Sequence, residues 1–128
     1  VWLTTVESEV PPVIKEKMFA ANSSQTTRSR SRTGKHSRQL VSPWTQAWES
    51  EQAPDPLPMP LQPMVAEPAL QKVAKLAEGG HDGARDLATY WVGQGVGLMN
   101  QSISASDVVQ EFKEDFVEAY ERLTGFVS

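Results

Sequence analysis

Apolar and polar residues follow more than one rhythm along this chain. Near the C-terminal end, Val109, Phe112, Phe116, Tyr120 and Leu123 recur at steps of three and four, and Glu111, Glu114, Asp115, Glu118 and Glu121 stand between them. That spacing puts one apolar stripe on a helix with a solvated acidic face. Ser104, with Asp107 three residues later, supplies the start signal, so the pattern predicts a helix from Ala105 to about Gly125. At the other end, residues 1–5 (Val-Trp-Leu-Thr-Thr) are β-branched and aromatic and read as a buried strand. Pro11-Pro12 then opens a helix over residues 12–21, with Val13, Met18 and Phe19 turned inward. Ser42-Pro43 opens a short helix to about Glu51 that places Trp44 and Trp48 one turn apart. Glu67-Pro68 opens another, over residues 69–78, which Gly79-Gly80 ends, and His81-Asp82-Gly83 reads as a turn.

Between these helices the rhythm breaks twice. Residues 22–38 are rich in Ser and Thr, and Arg28, Arg30, Arg32, Lys35 and Arg38 bring five of the twelve basic residues into that stretch. Clustered Arg and Lys can hold phosphates, but no aromatic is interleaved for base stacking and the whole chain carries a net charge of −4. Alternation with Ser and Thr fits the solvent face of an extended segment, turning at Thr33-Gly34-Lys35, and nucleic acid is not expected as a partner. Residues 52–63 hold five of the nine prolines and form a polyproline-like strap, with Leu57, Met59 and Leu61 on alternate positions. Without a basic anchor for an SH3-like partner, the strap is expected to lie across its own protein.

Composition narrows the class. The apolar fraction of 39% in 128 residues is modest for a self-sufficient core, so the chain reads as a piece of something larger. The absence of cysteine removes disulfides and thiolate metal sites and makes a reducing cytoplasm the default compartment. No apolar run nears the ~20 residues of a membrane span. The acidic residues of the last helix have no metal-ligand spacing, and neither His36 nor His81 has a partner at helical distance.

The stretch that demands a chemical reason is residues 88–99, Ala-Thr-Tyr-Trp-Val-Gly-Gln-Gly-Val-Gly-Leu-Met. A dinucleotide fingerprint fails, because Leu98 stands where the third glycine would be and no strand precedes Tyr90. What remains is a helix with a glycine-lined face, admitting either a neighbouring helix or a ligand, on which Gln94 is the only polar side chain between Tyr90 and Asn100.

Four segments in order carry a family likeness: Val-Trp-Leu-Thr-Thr-Val-Glu-Ser at 1–8, Thr-Gly-Lys-His-Ser-Arg-Gln-Leu at 33–40, Pro-Asp-Pro-Leu-Pro-Met-Pro-Leu-Gln at 54–62, and Tyr-Trp-Val-Gly-Gln-Gly-Val-Gly-Leu-Met at 90–99. Together they resemble the C-terminal part of FMN-dependent nitronate monooxygenases, formerly called 2-nitropropane dioxygenases. The resemblance implies an α/β parent, a TIM barrel with an added helical region, that oxidises alkyl nitronates with oxygen through bound FMN. This chain would be a C-terminal fragment, mostly α-helical with one N-terminal strand and a proline-rich extended strap. Its parts would be the last barrel strand and helix (1–21), the basic turn, short helix and strap (22–63), and a helical region (64–128). The family's catalytic histidine and phosphate-gripping glycines would lie upstream, so His36 and His81 do not inherit them and this chain holds no catalytic residue. Lys35 and His36 depart from the arginine and proline common in relatives at that turn. By position, Trp91, Gly93 and Gln94 come back over the flavin as a cofactor rim, and the isolated chain is expected to be inactive. A second reading makes the chain an independent helical binding module that recognises a partner through the basic turn and the strap.

Overall fold

The computed structural model describes all 128 residues. Five helices and one hairpin make up the chain: α1 (Pro12–Ala20), β1 (Thr26–Ser29), β2 (Ser37–Leu40), α2 (Pro43–Trp48), α3 (Leu61–Glu78), α4 (Asp82–Leu87) and α5 (Ala105–Gly125). Two 3₁₀ segments, Trp2–Thr4 and Gln94–Leu98, complete it. Only 23 residues are buried, so the core is thin. It gathers Val13, Ile14 and Met18 from α1, Leu40 from β2, Ala77 from α3 and Val96 from the second 3₁₀ segment. Met18 is 1% exposed, and burying a side chain of that size contributes about 1.5–3 kcal/mol.

Residues 1–5 do not form the expected strand. With no neighbouring strand to take their backbone groups, Thr4 and Thr5 turn their hydroxyls back onto the carbonyls of Val1 and Trp2, at 2.8 and 2.9 Å, and the segment closes into a 3₁₀ turn. The strands lie instead in the basic region. β1 and β2 pair antiparallel, with Thr26 opposite Leu40 and Ser29 opposite Ser37. Their loop turns through Gly34, whose φ of +80° suits glycine.

The strap lies on that loop. A Cβ at Gly34 would collide with the Leu57 carbonyl and come within 2.9 Å of the Met59 nitrogen. Gln62, fully buried in the first turn of α3, holds both sides: its Oε1 accepts from Leu57 N at 3.0 Å and its Nε2 donates to Ser31 O at 2.7 Å. α3 starts at Leu61, eight residues earlier than the sequence suggested, so the division placed after Pro63 falls inside it. Pro63 sits in the first turn, where no N–H is needed, and Pro68 inside the helix forfeits one ladder bond without ending it. Leu70 and Ala77, buried on one face, hold the helix through that gap.

Gly80, at φ +88°, ends α3, and His81 N reaches back to Leu76 O at 3.0 Å. His81 is no turn residue but the N-cap of α4, its Nδ1 accepting from Ala84 N at 3.1 Å. Lys17 and Glu16 of α1 bind α4 in turn, Glu16 through an ion pair with Arg85. α5 follows its sequence signals closely, with Ser104 Oγ accepting from Asp107 N at 3.0 Å. Its first turns are anchored by Val6 N to Ile103 O at 3.0 Å, Ala105 N to Glu7 Oε2 at 2.9 Å, and an edge-on contact of Phe112 with Trp2 at 5.9 Å. Beyond that the helix leaves the body. Of its apolar side chains only Val108 is buried, and Phe116, Tyr120 and Leu123 are exposed, so the stripe does not face this chain's own core.

Candidate cofactor site

The stretch 88–99 is not one helix. Ala88 ends α4, and the backbone then runs extended along β2: Thr89 Oγ1 donates to Leu40 O at 2.7 Å, Leu40 N to Tyr90 O at 3.1 Å, and Val92 N to Arg38 O at 3.1 Å. Trp91 bridges Gln39 across this edge. At Gly93, with φ −92° and ψ 170°, the chain turns into the short 3₁₀ segment Gln94–Leu98. Strand pairing takes the first half because Thr89, Tyr90, Trp91 and Val92 are β-formers, and the alternating glycines that follow are too poor at propagation for an α-helix.

The three glycines divide by what surrounds them. At Gly97 a Cβ would lie 2.9 Å from Ser23 N and 3.3 Å from Asn22 Cα, so this glycine admits the chain's own backbone. Close approach was expected at Gly93, but there a Cβ would meet only Gly95 N at 3.9 Å, and at Gly95 it would meet nothing within 4 Å. Their missing side chains serve no packing inside this chain. Gly93 and Gly95 instead line an apolar cavity of about 240 Å³, with Leu3, Met18, Val92, Val96 and Met99 among its walls.

The three residues expected at a cofactor rim are all exposed; Gly93 lines the cavity, and Gln94 follows it in the chain without lining it. The side chain of Gln94 is exposed and makes no hydrogen bond within the chain, so its amide is free to donate and accept. Trp91 faces the other way, into a second cleft of about 350 Å³ between α1, α3 and residues 88–91. There it meets a residue whose alternation with Ser and Thr predicts a solvent face. Arg32, 6% exposed, stacks its guanidinium 3.7 Å from the Trp91 ring centre and 5.3 Å from that of Tyr90. Glu67 grips the same guanidinium in bidentate fashion, Nε to Oε1 at 2.6 Å and Nη2 to Oε2 at 3.1 Å. No local signal marks this pair, because Arg32 and Glu67 are 35 residues apart and meet only when the hairpin loop docks on α3.

Two of the other basic residues are bound within the hairpin, and Arg28 and Lys35 are exposed. Arg30 Nε donates to Gly34 O at 3.1 Å and Arg38 Nη1 to Thr26 Oγ1 at 2.8 Å, both within the hairpin. His36 is exposed and His81 caps α4, so neither lies at the cavity. No helix is long and apolar enough to cross a membrane.

The family model for nitronate monooxygenase matches residues 1–115. A Mycobacterium tuberculosis protein, Rv1533, named as a monooxygenase, is 48% identical over 128 residues, covering 99% of this chain and 34% of its own length. A Bacillus subtilis protein named as a nitronate monooxygenase is 27% identical over 113 residues, covering 88% of this chain and 30% of its own. Among solved structures, FabK from Thermotoga maritima superposes with a TM-score of 0.67 at 27% identity, over 98% of this chain and 37% of that one. The chain spans about a third of the length of the curated relatives it matches. It belongs to the nitronate monooxygenase family.

Proposed function

We propose that this chain is the C-terminal part of an FMN-dependent nitronate monooxygenase on a TIM-barrel scaffold, working in the cytoplasm on an alkyl nitronate and oxygen. Its own contribution is the cofactor rim and a helical cover, not the catalytic base. The observation that carries the reading is the pair Gly93 and Gly95, whose open space is unused by the chain itself and opens on an apolar cavity. A cradle left empty by two missing Cβ atoms fits the edge of a flat ring system.

Bound FMN would supply the redox chemistry between nitronate and oxygen. Gly93 would let the backbone approach it, Gln94 would offer its amide to a ring or phosphate edge, and Trp91, seated in the neighbouring cleft, would anchor the backbone that carries them. The apolar wall of Leu3, Met18 and Val92 would keep water from the site. The alternative binding-module reading loses its footing, because the strap is seated on Gly34 and three of the five basic residues, Arg30, Arg32 and Arg38, are held within the hairpin or on Glu67.

The test uses the complete enzyme that carries this chain. It should purify with FMN absorbance, and oxygen uptake should require added alkyl nitronate. A protein that keeps no FMN contradicts the cofactor assignment, and one that keeps FMN but takes up no oxygen with nitronate contradicts the substrate.

A further inference from the structure

Arg32 stands out as a buried cation that the proposed site does not use directly. Its environment has three components. Glu67 satisfies the Nε and Nη2 edge, at 2.6 and 3.1 Å. Nη1 is buried without a hydrogen-bond partner. The remaining compensation comes from the aromatic faces, Trp91 at 3.7 Å and Tyr90 at 5.3 Å from the guanidinium carbon, both within the ~6 Å over which a ring attracts a cation. A guanidinium with one nitrogen unpaired depends on those rings more than an exposed one would, and the rings are held by it in return.

The framework behind Arg32 is rigid. Gln62 Nε2 fixes the adjoining Ser31 carbonyl at 2.7 Å, so the loop carrying Arg32 and the helix carrying Glu67 form one block. On its other side the Trp91 backbone is bridged to Gln39. Its indole, 38% exposed, takes the Arg32 guanidinium on its face at 3.7 Å and meets Tyr90 edge-on at 5.6 Å. The Arg32–Glu67 pair therefore lies directly against the face of that ring.

We propose that Arg32 is a positioning residue for the cofactor rim: clamped by Glu67, it fixes the Trp91 ring and through it the approach of residues 91–94 to the flavin. The proposal rests on the reading of Trp91 as a rim residue. Lysine could not replace it, because an ammonium neither stacks as a plane nor makes the bidentate fork.

The test is a double-mutant cycle on the complete enzyme, reading the FMN dissociation constant by fluorescence and the melting midpoint of the flavin-free protein. Arg32→Met and Trp91→Leu are measured singly and together, with Arg32→Lys alongside as the variant that keeps a charge in place should Arg32→Met not fold. Trp91→Leu and either Arg32 variant should each weaken FMN binding by about ten-fold, and in the Trp91→Leu background the Arg32 change should cost less than about two-fold more, since contacting residues acting through one another are not additive. If Trp91→Leu leaves FMN binding unchanged, the rim assignment of Trp91 fails and the inference goes with it. If Trp91→Leu weakens binding but the Arg32 variants do not, or weaken it equally in both backgrounds, the positioning role is overturned while the rim assignment stands.

Discussion

A single lysine shows how one side chain can join two elements. Lys17 Nζ donates to the carbonyls of Arg85, Asp86 and Ala88 at 2.8, 2.8 and 2.6 Å, closing the C-terminal end of α4 from α1. Burial pushes its pKa below the usual lysine range, with Asp86 opposing and Arg85 adding to the depression. Because the folded pKa lies below the unfolded one, the unfolded chain binds more protons between the two values, and stability rises as pH increases through that window toward about 10.4. Lys17→Met removes this group, so the wild-type unfolding free energy, measured against the variant by urea titration from about pH 8 upward, should gain with pH. A difference that shrinks with pH would mean that the three carbonyls hold the ammonium more strongly than burial disfavours it. Residue-scale roles of this kind were the least legible in the sequence. Arg32 alternates with Ser and Thr like its exposed neighbour Arg28, and only docking against Glu67 separates them.

At the scale of elements, the sequence was most readable where the signals are local. Ser104 and Asp107 mark the start of α5, and Gly80 stops α3 by a conformation that glycine adopts freely. It was misleading where partners decide. A β-branched run such as residues 1–5 becomes a strand only beside another strand, and Pro68 looks like a helix start although it lies inside one. The glycine stretch required the same correction, since pairing with β2 and packing against residues 22–23 split it between strand-like and 3₁₀ backbone. That packing separates two glycines that look alike on paper. Gly97→Ala should lower stability by about 1–3 kcal/mol, because the added methyl meets backbone that cannot swing aside. Gly93→Ala, at an extended φ with open space, should leave it within about 0.5 kcal/mol. Chemical denaturation of both variants checks this, and equal losses would mean that residues 22–23 yield to the methyl.

For the whole molecule, the sequence conveyed the family, while the docking of the hairpin loop on α3 that joins Arg32 to Glu67 emerged only in three dimensions. The thin core and the uncovered stripe of α5 fit a chain that spans about a third of its relatives. The central claim is that residues 91–94 edge a flavin site. It is tested most directly by Gly93→Val in the complete enzyme, because the extended backbone at Gly93 suits a β-branched residue and nothing in this chain occupies the space beside it. FMN titration should show a dissociation constant raised at least about ten-fold, or 1.4 kcal/mol, while the flavin-free protein melts within about 2 °C of wild type. An unchanged FMN affinity in a variant that melts like wild type would contradict the account.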